Sequence, residues 1–222
     1  MVLALGDSVP AGSACSCTPF PALYAQAISV ASAARTVSIN AGRPGLTSTG
    51  LVGLLGNGTP ESDDVARSAV ITITIGANDF DYVPSAQCPK LSCYAAALHT
   101  LAVNVAAILG RINQLRASQP TAVRITGYWE IWKDGAIGAQ LGTDYMQVND
   151  ALTDAVNRLL AHAASDTDAG YVDLQAAFHR TTDTDLLAAD GDHPDAAGHR
   201  MIAGLLQASG LHPLSLIWLP AS

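Results

Sequence analysis

The chain has 222 residues, of which 49% are hydrophobic and 14% charged, with 11 lysines and arginines against 19 aspartates and glutamates. This composition excludes a disordered or fibrous protein, and the length predicts one domain over residues 1–222 that buries roughly 70% of its unfolded surface. The formal net charge of −8 argues against binding to nucleic acid or to an anionic membrane, because both need clustered Lys and Arg.

Segments typical of strands and helices alternate along the chain. Residues 69–75 are β-branched and nearly continuously apolar, which is typical of a strand buried on both faces of a parallel sheet. The alternation predicts an α/β fold with a five-stranded parallel sheet and helices on both faces. In chain order we expect strands at 2–5, 36–39, 69–75, 122–126 and 170–173, and helices at 19–31, 46–55, 98–115, 144–164 and after Pro194.

No apolar stretch is expected to reach the length of a transmembrane helix, so stable membrane insertion is not predicted. The longest candidate, residues 95–110, is interrupted by His99, Thr100 and Asn104.

Polar residues follow three of the predicted strands, at the carboxyl ends where the working site of a parallel sheet lies. Gly6-Asp7-Ser8 follows the first strand, residues 40–47 follow the second, and Gly76-Ala77-Asn78-Asp79 follows the third. A fourth polar segment, Asp190-Gly191-Asp192-His193-Pro194, precedes the last helix. We therefore expect these four segments to form one site.

Together these segments contain the groups that acyl transfer requires. Ser8 is the candidate nucleophile, His193 its base, and Asp190 the carboxylate that orients the base. The candidate oxyanion hole consists of the Ser8 N–H, the Gly45 N–H and the Asn78 side-chain amide. Asp190 lies three residues before His193, so it can accept a hydrogen bond from Nδ1 while Nε2 faces Ser8.

Several of these residues also have an ordinary structural interpretation. Ser8 can cap a turn, Asn78 can form one, and Asp7 is expected to stabilise the turn rather than take part in the chemistry. Asp192 adjoins His193, but its adjacency directs it away from the imidazole ring, so Asp190 is the expected orienting residue. The other histidines have no paired spacing of metal ligands, and we expect them at the surface or the edge of the core.

The four segments, in this order, resemble the motif blocks of the SGNH (GDSL) hydrolases, which are esterases and lipases. The resemblance spans residues 3 to about 205 and implies a three-layer, flavodoxin-like fold, the site residues named above, and no metal or organic cofactor. Val9-Pro10 departs from the residues that often follow the nucleophile in the family. Gly42 competes with Gly45 for the second block, and Gly45 is preferred because Leu46-Thr47-Ser48 follows it.

The four cysteines, Cys15, Cys17, Cys88 and Cys93, lie in two short segments rich in Ser and Pro. They predict either disulfides or a four-thiolate zinc site, and the single residue between Cys15 and Cys17 fits zinc poorly. Cys88 and Cys93 can bridge locally, while cross-pairing between the loops stays open. Secreted members of the resembled family often carry disulfides in these loops. We expect a secreted or extracytoplasmic protein whose signal peptide is not part of this chain.

These observations predict a serine esterase that acts on a small-molecule or carbohydrate ester of short to medium acyl length, as a monomer. A carbohydrate acetyl esterase or deacetylase, or a thioesterase, is the alternative within the class. A non-catalytic carbohydrate-binding module and a zinc–thiolate protein are the alternatives outside it. The aromatic segment 128–132 either lines a substrate pocket or packs in the core.

Overall fold

A computed structural model describes residues 1–80, 90–117, 119–131, 142–178 and 185–214. Five parallel strands form one sheet in the order β2-β1-β3-β4-β5. The predicted α/β class and the five-stranded parallel sheet are therefore confirmed. The strands are β1 (Val2–Gly6), β2 (Ser38–Gly42), β3 (Val70–Thr74), β4 (Ala122–Thr126) and β5 (Gly170–Val172).

Helices flank this sheet, and every residue of β1, β3 and β4 is buried, so both faces of these strands are covered. Helix α2 packs on α8, and α5 packs on α3, α4 and α6. The helices, numbered along the described residues, are α1 (Ser8–Ala11), α2 (Phe20–Ser32), α3 (Ser48–Leu54), α4 (Pro60–Arg67), α5 (Ala95–Arg116), α6 (Thr143–Ser165), α7 (Gln175–Phe178) and α8 (Ala196–Ala208). Short 3₁₀ turns occupy Ala77–Asp79 and Leu91–Tyr94.

Apart from the helices and 3₁₀ turns of three or four residues, two elements differ from the sequence-based expectation. Helix α4 was not predicted, because its sequence is mostly polar, but it has a clear start: Thr59 accepts a hydrogen bond from the Ser62 N–H, and Pro60 follows the cap. Strand β2 runs two to three residues later than the alternating pattern at 36–39 indicates. β2 is an edge strand, so its register with β1, and not an apolar pattern, decides where it begins.

The segment Leu91–Arg116 is long and apolar enough to cross a membrane by length and composition, contrary to the expectation from the sequence. Within the fold, Leu101, Val105 and Ile112 of this segment are fully buried. This face of α5 is therefore part of the hydrophobic core.

The strand order determines which loops meet at the site. All five strands are parallel, so their carboxyl ends lie at one edge of the sheet. β2 and β3 lie on either side of β1. The segment after β2, which holds Gly45, and the segment after β3, which holds Asn78, therefore flank the turn that carries Ser8.

Candidate active site

Ser8 lies on a tight turn between β1 and α1. Gly6 has a φ of +139°, and a Cβ atom at this position would lie 1.9 Å from the carbonyl oxygen of Thr74. Only glycine allows β1 to turn so close to β3. Asp7 then caps α1, accepting a hydrogen bond from the Val9 N–H at 2.9 Å. Ser8 is the first residue of the helix, half-buried, at the carboxyl end of β1.

Asp190 and His193 are joined directly. Asp190 Oδ2 lies 2.8 Å from His193 Nδ1, and Asp190 Oδ1 accepts the N–H groups of Asp192 and His193, each at 3.1 Å. A backbone hydrogen bond closes the loop that carries both residues: the Ala188 N–H donates to the His193 carbonyl at 2.7 Å. The structure thus holds the imidazole by one ring nitrogen. Among the described residues, neither His193 Nε2 nor the Ser8 hydroxyl has a hydrogen-bond partner, so the two are not hydrogen-bonded to each other.

The electrostatics of Asp190 follow from these contacts. Partial burial acts to raise the pKa of Asp190, but the hydrogen bonds from the His193 N–H, the His193 ring and the Asp192 N–H outweigh it and hold the pKa below its usual value. The carboxylate is therefore ionised at neutral pH, as a group that orients an imidazole must be.

Gly45 lies at the tip of a turn beside the Ser8 segment. The Leu46 N–H donates to the Arg43 carbonyl at 3.0 Å, and Gly45 has a φ of +77°, as the third position of such a turn after Pro44 requires. The Arg43 N–H donates to the Gly6 carbonyl at 2.9 Å, which ties the turn to the end of β1. Gly45 is exposed, whereas the Gly42 N–H is bound to Asn40 Oδ1 at 3.0 Å. Of the two glycines, Gly45 has the N–H available to a ligand.

Asn78 and Asp79 connect the third block to the second. Asn78 Nδ2 donates to the Leu46 carbonyl at 3.1 Å, which uses one of its two amide hydrogens. Asp79 accepts hydrogen bonds from the Ser48 N–H, at 2.9 Å, and from the Ser48 hydroxyl. The loops after β2 and β3 therefore form one hydrogen-bonded unit, and no other described residue accepts the second amide hydrogen of Asn78.

A buried contact behind Ser8 was missed by the sequence analysis. The Tyr128 hydroxyl, on the segment after β4, donates a short hydrogen bond to Asp7 Oδ2. Both residues are fully buried. Burial raises the pKa of Asp7 from its ordinary value of 3.8 to about 6, against the opposing effects of the Tyr128 hydroxyl, the Val9 N–H and His193. The two residues are 121 positions apart, and no local signal in the sequence pairs them.

We expect Asp7→Asn to change the pH dependence of stability. The pKa of Asp7 is higher in the folded protein than in the unfolded chain, so its ionisation costs stability, and this cost is absent below about pH 4 and complete above about pH 6. Asparagine cannot ionise. From pH 4 to pH 7 the unfolding free energy of the variant should therefore rise relative to wild type by about 2 kcal/mol. Urea unfolding at several pH values measures this difference.

The exposed Asp168→Asn provides the matched control for that experiment, since its carboxylate lies on the surface. Its unfolding free energy should follow wild type across the same pH range. A constant difference between Asp7→Asn and wild type from pH 4 to pH 7 would contradict the buried, raised-pKa assignment.

The described aromatic residues of segment 128–131 pack in the core. Tyr128 and Trp129 are buried, and the Trp129 ring stacks on Phe178 with ring centroids 4.5 Å apart. For these two residues the core interpretation is correct. Trp132, the other aromatic residue of the segment, lies outside the described residues.

Cys15 and Cys17 form a disulfide with each other, so the first loop closes locally. Cys93 is also disulfide-bonded, and Cys88, its expected partner, lies outside the described residues. His199, expected at the surface or the edge of the core, is fully buried, and one of its ring nitrogens and the two sulfurs lie within 4.8 Å of one another. Because the sulfurs are bonded to each other, they offer no thiolate to a metal ion. The disulfide interpretation is therefore correct for this pair.

Comparisons with known proteins agree with this architecture. The GDSL-like Lipase/Acylhydrolase family matches residues 4–201. No curated protein matches the chain.

Solved structures share the fold across nearly the whole chain. The lipase Lip_vut3 from a goat rumen metagenome has 19% identity and a TM-score of 0.82, covering 96% of this chain and 99% of its own. An acetylxylan esterase from Geobacillus stearothermophilus, solved as a catalytic mutant, has 18% identity and a TM-score of 0.66, covering 99% and 96%. An extracellular lipase from Streptomyces rimosus has 22% identity and a TM-score of 0.62, covering 94% and 98%.

Proposed function

Since the chain belongs to the GDSL-like lipase/acylhydrolase family, we propose that it is a serine esterase that hydrolyses carboxylic esters of short to medium acyl length. Ser8 is the nucleophile, His193 the general base and Asp190 the residue that orients the base. The observation that carries this proposal is the 2.8 Å contact between Asp190 Oδ2 and His193 Nδ1. This contact leaves Nε2 to accept a proton. His193 lies on the segment that precedes α8, and Ser8 lies at the edge of the sheet where the strands end.

The reaction follows the usual two-step order of a serine hydrolase. His193 Nε2 takes the proton from Ser8 Oγ as this oxygen attacks the ester carbonyl carbon. The carbon–oxygen bond to the alcohol then breaks, and His193 gives the proton to the departing alcohol. Water, deprotonated by the same nitrogen, then attacks the carbon of the Ser8 ester. The bond from this carbon to Ser8 Oγ breaks, His193 returns the proton to Ser8 Oγ, and the acid is released.

Three N–H donors are available for the tetrahedral oxyanion. The Ser8 N–H is at the first position of α1 and has no partner within the helix. The Gly45 N–H is exposed at its turn, and Asn78 keeps one amide hydrogen after its bond to Leu46. The bond to Leu46 supports the assignment of Asn78, because it fixes the amide beside the Gly45 turn before substrate binds.

We place the enzyme outside the cytoplasm, and the disulfide between Cys15 and Cys17 supports this location. Disulfides persist in oxidising compartments and are rare in the cytosol.

Wild-type hydrolysis and covalent labelling test the proposed function. p-Nitrophenyl esters from acetate to palmitate should be cleaved, with kcat/KM highest for short and medium chains. A fluorophosphonate, which reacts with activated serines, should label the protein once, on the peptide that contains Ser8. Release of acetate from acetylated xylo-oligosaccharides, measured in parallel, distinguishes the acetyl esterase alternative from the proposed esterase. Absence of hydrolysis by folded protein, or labelling of another residue, would overturn the proposal.

A further inference from the structure

Asp7 is a buried carboxylate that has no salt bridge with any cationic side chain among the described residues. Its hydrogen bonds come from neutral donors, the Val9 N–H and the Tyr128 hydroxyl. The titratable groups that face it are Tyr128, from the segment after β4, and His193, from the segment before α8; Asp79 in turn acts on Tyr128. His193 is near enough for its charge to lower the pKa of Asp7. Asp7 directly precedes Ser8 in the chain, so a base that reaches Ser8 Oγ comes near this buried carboxylate.

The backbone of Tyr128 is held in place by a side chain of α6. Asn157 of α6 accepts the Tyr128 N–H and donates to the Tyr128 carbonyl, each at 2.8 Å. The Tyr128 ring passes over Gly76, which follows β3. A Cβ atom added at Gly76 would lie 3.8 Å from Tyr128 Cε2. A capping role for Asp7 requires only the bond to Val9. The second bond, to a clamped tyrosine from two strands away, is not needed for the cap.

We infer that Asp7 and Tyr128 are positioning residues of the reaction: the Tyr128 hydroxyl holds the Asp7 carboxylate in its ionised form, and this buried charge stabilises the imidazolium that His193 becomes when it takes the Ser8 proton. The inference rests on the proposed serine mechanism. In that step the O–H bond of Ser8 breaks and an N–H bond forms on His193, so positive charge develops on the ring.

Asp190 and Asp7 differ in position, and their roles differ accordingly. Asp190 binds the ring directly and its side chain is 36% exposed, so solvent screens its charge. Asp7 is fully buried, where a charge acts over a longer distance with less screening. Asp190 therefore orients the imidazole, and Asp7 adds an electrostatic contribution from the buried side.

The test compares Tyr128→Phe and Asp7→Asn with wild type. Both should lower kcat by about tenfold and leave KM unchanged, because the charge acts on the transition state and not on substrate binding. Tyr24→Phe is the matched control: Tyr24 is fully buried and its hydroxyl has no hydrogen-bond partner in the part of the chain that the structure describes, so removing it should leave kcat as in wild type. Thermal unfolding checks that each variant is folded.

The pH profile separates an electrostatic role from a structural one. The defect of Asp7→Asn should decline as the pH falls through about 6, where wild-type Asp7 itself becomes protonated, and be complete at pH 8. The defect of Tyr128→Phe should shrink as the pH rises, because loss of the hydroxyl raises the pKa of Asp7 and a higher pH restores its charge. A defect of either variant that is the same at every pH, or that Tyr24→Phe shares, would overturn the inference.

The same assay distinguishes failure of the inference from failure of the proposed function. If Ser8→Ala is inactive while Tyr128→Phe and Asp7→Asn have wild-type kcat, the inference alone is wrong. If Ser8→Ala retains full activity, the serine mechanism itself is wrong, and the inference fails with it.

Discussion

Ser8→Ala is expected to lower kcat/KM for p-nitrophenyl acetate by about 10³-fold or more, with the fold unchanged. The nucleophilic oxygen is lost, whereas the structural role of the position is kept. Ser8 is the first residue of α1, where alanine is acceptable, and the cap of this helix comes from the Asp7 side chain. Steady-state kinetics measure the effect, and circular dichroism and thermal unfolding verify the fold.

Ser13→Ala is the matched control for this substitution. Ser13 lies five residues later in the same segment, and its contact with Ser8 is through the backbone, from the Ser13 N–H to the Ser8 carbonyl at 3.0 Å. Loss of the Ser13 hydroxyl should leave kcat/KM unchanged. If Ser8→Ala hydrolyses the ester as well as wild type, Ser8 is not the nucleophile, and a non-catalytic carbohydrate-binding module becomes the better interpretation.

Asp190→Asn is expected to lower kcat by about 10²- to 10⁴-fold. Asp190 Oδ2 now accepts from His193 Nδ1 at 2.8 Å, which keeps the proton on Nδ1 and leaves Nε2 able to accept one. An asparagine amide at the same place donates to Nδ1, so the ring proton moves to Nε2 and the ring can no longer take the Ser8 proton. Oδ1 can still accept the N–H groups of Asp192 and His193, so the loop should be retained.

The neighbouring Asp192→Asn tests which carboxylate orients the base. The Asp192 N–H donates to Asp190 Oδ1, and the carboxylate at 190 is the one bound to the imidazole. Asp192→Asn should therefore change kcat by less than about threefold. A large loss in Asp192→Asn together with a small one in Asp190→Asn would reverse the assignment. Measuring kcat from pH 6 to pH 9 shows whether either variant loses activity over only part of this range.

Local patterns in the sequence were sufficient for most of the fold. β4 begins and ends where expected, and the two long helices, α5 and α6, follow the spacing of their apolar residues. These elements are buried on defined faces, so burial leaves a periodic signal. α4 and β2 lack that signal: α4 is mostly polar and depends on its cap, and β2 lies at the edge of the sheet. Tertiary contacts therefore decide where β2 begins.

The candidate site divides in the same way. The contact between Asp190 and His193 follows from the sequence, because residues three apart on one turn are bound to be close. The placement of Gly45 and Asn78 beside Ser8 depends on the strand order, which brings distant segments to one edge of the sheet. The tie between Tyr128 and Asp7 and the burial of His199 beside Cys15 were decided by the tertiary structure alone. Such contacts join residues more than 100 positions apart through packing, and packing leaves no periodic pattern in the chain.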